Sequence, residues 1–155
     1  MPFSSGDSVV ATDLNNVLRG LYQDNTNRAV TGTTAETDMA STSITGGTIT
    51  GTGAIHVMAS GTITNVGGGA KDIRLYFGAT AIATVSRTGA NAQDWFIDAW
   101  GFNTATNAQR WFVMYSTADA LTITTDYTTS AIDTTAAVTC EVTGDLATAT
   151  DTITG

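Results

Sequence analysis

Residues 30–65 read VTGTTAETDMASTSITGGTITGTGAIHVMASGTITN and consist mostly of threonine, glycine, serine and alanine. Such a composition occurs both in disordered linkers and in short strands joined by turns. The segment 36–44 alternates small or apolar residues with polar ones, and after a glycine-rich turn the alternation resumes with Ile55, Val57 and Ala59 on one face. Short alternating segments separated by glycine-rich turns are typical of β-sandwiches and barrels. The stretch therefore predicts strands and turns rather than a linker.

The composition of the whole chain also favours a folded, β-rich domain. Of the 155 residues, 42% are hydrophobic and only 13% are charged, whereas disordered chains combine low hydrophobicity with high charge. Roughly one residue in five is threonine, a β-branched residue that favours strands. The length suits one domain with a buried core.

The charge balance excludes several classes of partner. The formal net charge is −8, so the surface repels phosphate backbones and we expect no nucleic-acid partner. The six basic residues are not clustered as anionic membranes require, and no apolar stretch approaches the length of a membrane span. The first residues lack the pattern of a signal peptide. We therefore expect a soluble protein made in the cytoplasm, with no membrane partner.

Side chains suited to catalysis are scarce. The chain has one cysteine, Cys140, which alternates with valines and is expected in a core, and one histidine, His56, expected to be structural or on the surface. A nucleophile needs a neighbouring base, and no nucleotide-binding or metal-binding motif is present. We expect no enzyme, no catalytic residues, no cofactor and no bound metal, although turn aspartates such as Asp126 or Asp145 leave a surface calcium site open.

Further alternating segments follow in the second half of the chain. They predict about eight strands in all, arranged as an all-β antiparallel β-sandwich of jelly-roll type over residues 29–155. The segments are KDIRLYFG and AIATVS, expected to form one hairpin, DWFIDAWGF and QRWFVMYS, expected to form a second across the polar turn NTATNA, and then LTITTDYTT, AAVTCEVTG and LATATDTITG.

The second hairpin is apolar on both faces. An antiparallel sheet usually leaves one face polar for contact with water. Here one face carries Trp95, Ile97 and Ala99 and can form the core, while the opposite face needs a cover, either an N-terminal helix or another subunit. We expect an oligomer with closed symmetry. The residues of the second face are Phe96, Trp100, Phe102, Phe112 and Met114.

Residues 1–28 are expected to form an N-terminal arm followed by one short amphipathic helix. The arm spans 1–11, and the helix that follows presents one apolar stripe with i, i+3, i+4, i+7 and i+8 spacing. Such a short helix is marginal alone and must dock. It packs either on its own domain or on a neighbouring subunit that it clamps. The stripe residues are Leu14, Val17, Leu18, Leu21 and Tyr22.

Three stretches carry a resemblance to a known kind of protein. TGTTAETDMAS, the glycine turn before AIHVMASGTITN, and the hairpin IRLYFGATAIATV resemble small jelly-roll capsid decoration, or cement, proteins of tailed bacteriophages and some tail-associated β-sandwich modules. These are strand and turn patterns covering about the first two thirds of the chain. Sequences of this kind often continue past the equivalent of the final DTITG into another apolar strand.

The resemblance implies a virion structural protein. It implies a homotrimer on the outer capsid surface that binds the major capsid protein and stabilises contacts between capsomers, with its N-terminal segment against adjacent subunits. We expect the hairpin and stripe residues named above to form these subunit and capsid interfaces.

The alternative is a tail- or fibre-associated binding module that recognises host surface glycans. Jelly rolls also form lectins, so the fold does not choose between the two functions. An exposed aromatic platform, such as Trp100 or Tyr127, would support the alternative. A glycan hydrolase is disfavoured because no carboxylate pair stands out from the scattered acidic residues.

Overall fold

The computed structural model describes residues 22–64, 67–89, 91–116 and 123–155, with only the backbone of 123 and 124. These residues form ten strands and no helix. None of them belongs to a helix long and apolar enough to span a membrane. The strands are β1 (Ala29–Thr31), β2 (Thr37–Ile44), β3 (Ala54–Thr64), β4 (Lys71–Phe77), β5 (Thr80–Arg87), β6 (Gln93–Ala105), β7 (Ala108–Ser116), β8 (Ile123–Ser130), β9 (Val138–Leu146) and β10 (Thr152–Thr154).

The strands form two antiparallel sheets. The six-stranded sheet has the order β1-β10-β3-β6-β7-β8, and the four-stranded sheet has the order β2-β9-β4-β5. The all-β class and the paired antiparallel sheets predicted from the sequence are confirmed. The predicted arm and the helix residues Leu14, Val17, Leu18 and Leu21 lie outside the described residues.

The core lies between the sheets and follows from strict alternation along the strands. In β4, Ile73, Leu75 and Phe77 are fully buried while the residues between them are half-buried. The Phe77 ring meets the Trp111 ring of the other sheet edge-on, with centroids 5.1 Å apart. An edge-to-face pair of this kind adds to the area buried and fixes how the sheets face each other.

Each inward tryptophan of the six-stranded sheet lies over a glycine on the neighbouring strand. Trp111 pairs with Gly101, where an added Cβ would lie 2.5 Å from the indole ring. Trp95 pairs with Gly61, and its Nε1 donates a hydrogen bond to the carbonyl oxygen of Thr154 at 3.1 Å. Gly101 leaves the space that the Trp111 ring fills, and Gly61 leaves space for the Thr154 carbonyl group and Trp95 Nε1. The register of these strands is therefore set by core packing.

A buried ion pair fastens the start of β4 to the turn before β10. Lys71, the single lysine, lies with its Nζ 3.0 Å from Asp151 Oδ2, and both side chains are fully buried. Nζ also donates to the carbonyl oxygens of Gly67 and Gly89, and the Gly67 N–H donates to Asp151 Oδ1. Such additional hydrogen bonds are what make a buried ion pair tolerable after desolvation.

Two details differ from the sequence predictions. The described residues hold ten strands rather than about eight, and the three-residue strand β1 has no counterpart among the predicted segments. The predicted six-residue turn NTATNA is wrong, since β6 runs to Ala105 and β7 starts at Ala108. The reason is that Asn103 is buried and its amide donates to the carbonyl oxygen of Thr50 and to the Thr134 hydroxyl, so a polar residue stays inside a strand.

Replacing Gly101 by alanine should destabilise the fold. The new Cβ would overlap the Trp111 ring, and overpacking of this kind costs about 1–3 kcal/mol of the free energy of unfolding. Urea denaturation followed by circular dichroism measures the change. Gly68→Ala is the matched control, because its Cβ would meet open space. Equal stability of the two variants would contradict the packing described here.

Candidate functional site

The six-stranded sheet carries a row of aromatic side chains on the side turned away from the core. In register, His56 of β3 lies opposite Trp100 of β6, Trp100 lies opposite Phe112 of β7, and Phe112 lies opposite Tyr127 of β8. Neighbouring strands are about 4.8 Å apart, so this aromatic row extends about 14 Å across four strands. A row of this length is a continuous surface rather than a set of isolated side chains.

The aromatic row is exposed and has apolar neighbours. The relative exposure is 41% for Trp100, 45% for Phe112 and 59% for Tyr127, and it reaches 71% for Met58 in the adjacent position of β3. Patches of this kind on soluble proteins usually mark contact sites. We call the outward residues of these four strands the outer face. They include His56, Met58, Phe96, Asp98, Trp100, Phe102, Arg110, Phe112, Met114 and Tyr127.

The five hairpin residues singled out in the sequence all lie on the outer face. Trp100, Phe102 and Phe112 are exposed, and Phe96 and Met114 are half-buried. The residues that alternate with them, Trp95, Ile97, Ala99, Trp111 and Val113, lie in the core as the alternation predicted, while Tyr115 on the same side of β7 is only half-buried. The role of the outer face as an interface stays a prediction.

A histidine and an aspartate fix the orientation of Trp100. The imidazole of His56 stacks on the indole with centroids 3.9 Å apart and planes 11° from parallel. His56 Nε2 lies 2.7 Å from Asp98 Oδ1, at hydrogen-bond distance. Because the imidazole is held from two sides, Trp100 loses less conformational freedom when a partner covers it.

The opposite sheet has an outward face of the ordinary polar kind. Arg74 forms ion pairs with Asp72 at 2.7 Å, Glu36 at 3.2 Å and Asp145 at 3.3 Å. The Thr143 hydroxyl donates to Glu36 and holds the pKa of that carboxyl below its usual value. This face suits water, as one face of an antiparallel sheet normally does. The aromatic outer face is therefore the exception that needs an explanation.

The other side chains considered for metal binding or catalysis have structural roles. Among the described residues, no group of three or more His, Cys, Asp or Glu side chains is placed to hold a metal ion. Asp145 pairs with Arg74, and Asp126 accepts a hydrogen bond from the Tyr127 N–H. Cys140 is buried as predicted, and burial raises the pKa of its thiol to about 11.

Sequence reasoning missed part of the site. Alternation along the strand puts His56 and Met58 on the side opposite Ile55 and Val57. It does not connect them with Trp100, because β4 and β5 of the other sheet lie between β3 and β6 in the sequence. Of the predicted helix stripe, only Tyr22 is described. It is exposed, and its hydroxyl donates to Asp24 at 2.8 Å.

Comparison with known proteins gives this chain no family. No protein-family model, curated protein or solved structure matches it. The resemblance to capsid decoration proteins therefore stays a prediction, and the proposals below rest on the geometry of this chain.

Trp100 should account for nearly all quenching of the tryptophan fluorescence by acrylamide. Trp95 and Trp111 are 2% and 0% exposed, so the quencher reaches Trp100 alone in separated subunits. The variant Trp100→Phe should therefore show little quenching, while the control Tyr127→Phe keeps the wild-type quenching constant. Strong quenching that persists in Trp100→Phe would contradict the burial of the other two indoles.

Proposed function

We propose that the two sheets form a jelly roll extended by one hairpin. With β7 and β8 set aside, the sheet orders become β1-β10-β3-β6 and β2-β9-β4-β5. Two interleaved Greek keys have this order, and they define the jelly rolls found in viral capsid and lectin domains. On this reading the β7–β8 hairpin is an addition beside β6, and it supplies half of the aromatic row.

We further propose that the chain is a structural protein of a virus particle. It acts as a trimeric capsid decoration protein that binds the major capsid protein on the outer phage head and stabilises contacts between capsomers, after synthesis in the host cytoplasm. The outer face is the observation that carries this proposal. The jelly-roll order and the resemblance of the sequence to such proteins support it.

The composition of the outer face favours a protein partner. Cores of protein interfaces are enriched in tryptophan, tyrosine, phenylalanine and methionine and depleted of charge. Three of the four residues in the aromatic row are of these types, and Met58, Phe102 and Met114 flank them. The row stands on paired strands, so the face changes little in shape when a partner binds.

The size of the outer face favours repeated contacts. Outward residues are about 7 Å apart along a strand, so the apolar patch measures about 14 by 20 Å. This is well below the area of about 800 Å² that each partner buries in a standard interface. A single contact of this size is weak, so a stable trimer needs three such contacts that close a ring. A symmetric subunit array presents it many times, and the joint affinity then exceeds that of any one contact.

A glycan-binding module of the tail or fibre is the second candidate. One observation favours it: Trp100 and Tyr127 offer exposed rings, and Asp98 and His56 beside Trp100 offer polar atoms for sugar hydroxyls. The stacked imidazole already covers one side of the Trp100 indole, which leaves less of that ring for a sugar. For this reason the structural role is preferred.

The copy number of the chain in purified virus particles decides between the two functions. We expect about one copy per major capsid protein, because a decoration protein covers the whole head. Quantitative mass spectrometry of particles of the encoding virus gives the ratio. A few copies per particle, with retention on host polysaccharide that Trp100→Ala abolishes, would favour the glycan-binding module instead. Absence from the particle would contradict both.

The purified chain should also show whether the outer face holds subunits together. Light scattering is expected to give a molar mass three times that of one chain. The variant Trp100→Ser/Phe112→Ser should have the molar mass of a single chain. Tyr76→Ser, an aromatic change on the outward face of the four-stranded sheet, is the control. A trimer that survives the double substitution would exclude the outer face as the subunit interface.

A further inference from the structure

A cleft of about 960 Å³ opens between the two sheets. It lies where β2 and β9 of one sheet face β3 and β6 of the other. Its walls are mostly apolar, and the core-facing side chains among them continue the hydrophobic core toward the surface. Residues that form these walls include Met39, Ile44, Ile55, Val57, Cys140 and Val142.

The cleft is open because two strands have free edges on the same side of the sandwich. Among the described strands, β2 ends its sheet, and β10 pairs with β3 only over Thr62–Thr64. The preceding part of β3 pairs with β6 alone. As a result Ile55, Val57 and Ala59 point toward the core and yet remain only partly buried.

The N-terminal end of the described chain lies at this cleft. Tyr22, Gln23, Asp24 and Asn25 line it, so residues 1–21 join the described chain at the cleft itself. Tyr22 is also the last member of the apolar stripe predicted from the sequence. The stripe thus already has one member at the cleft.

We propose that the cleft is the docking site for residues 1–21 of the same chain. Leu14, Val17, Leu18 and Leu21 would pack against the exposed sides of Ile55, Val57 and Ala59 and close the core. The same chain is the preferred source because the segment is tethered at the cleft. A short tether gives an effective concentration in the mM range, far above that of a separate subunit in dilute solution. This inference does not depend on the proposed function.

The single cysteine offers a native reporter of whether the cleft is covered. Cys140 lines the cleft with a free, buried thiol. Only the thiolate reacts with alkylating reagents, and a thiol must also be accessible to be modified. The rate of Cys140 alkylation therefore reads out how completely the segment covers the cleft.

The first test compares alkylation rates in the full chain. The variant Leu14→Ser/Leu18→Ser removes two stripe residues and should speed iodoacetamide labelling of Cys140 by about tenfold or more, since access to the thiol improves. Asn15→Ser/Asn16→Ser, outside the stripe, is the control and should label at the wild-type rate. Equal rates for the wild type and the stripe variant would overturn the proposal.

The second test does not depend on how well a destabilised variant folds. Leu14→Cys, Leu18→Cys and Leu21→Cys are each oxidised mildly beside the native Cys140, with Asn16→Cys as the control. At least one stripe position should form a disulfide within a single chain, seen as a monomer of altered mobility on a non-reducing gel. Disulfides mainly between chains would overturn the assignment to the same chain. If the stripe positions form disulfides no more readily than Asn16→Cys, the docking proposal is overturned.

Discussion

The packing of the six-stranded sheet depends on two glycines that lie opposite its inward indoles. A Cβ at Gly101 would overlap the Trp111 ring, and a Cβ at Gly61 would overlap the Thr154 carbonyl oxygen and crowd Trp95 Nε1. The two glycines therefore fix the register of β3, β6 and β7. Since side chains alternate along a strand, a fixed inner set also fixes the outer set. A shift by one residue would expose both indoles and bury the aromatic row, so the composition of the outer face follows from the packing of the core.

The two outward faces of the sandwich differ in a way that suggests different surroundings. The four-stranded sheet presents Arg74 among three carboxylates, a network suited to water. The six-stranded sheet presents exposed rings that a soluble protein does not ordinarily leave uncovered. The net charge of −8 opposes indiscriminate association through such a face. A symmetric assembly whose partner surface complements the outer face would cover the exposed rings, while the net negative charge would still prevent indiscriminate association.

Local patterns in the sequence predicted much of this arrangement, and non-local pairing accounts for what they missed. The β4–β5 and β6–β7 hairpins and the two apolar faces of the latter follow from alternation between neighbouring residues. The pairing of β3 with β6 and the place of β10 between β1 and β3 join distant segments, which alternation does not specify. Local patterns also could not predict that Lys71 is buried, because its partner Asp151 lies 80 positions later in the sequence. The N-terminal stripe lies outside the described residues, except for Tyr22.

The central claim is that a protein partner covers the outer face in the assembled state. Methionine oxidation tests this claim most directly. Met58 lies on the outer face and is 71% exposed, whereas Met39 is 3% exposed and serves as an internal reference. Hydrogen peroxide converts accessible methionine to its sulfoxide, which peptide mass spectrometry quantifies. The proposed capsid role predicts that Met58 oxidises much more slowly in the virus particle than in separated subunits, with Met39 slow in both. Equal oxidation of Met58 in the two states would show that the outer face stays uncovered and would contradict the account.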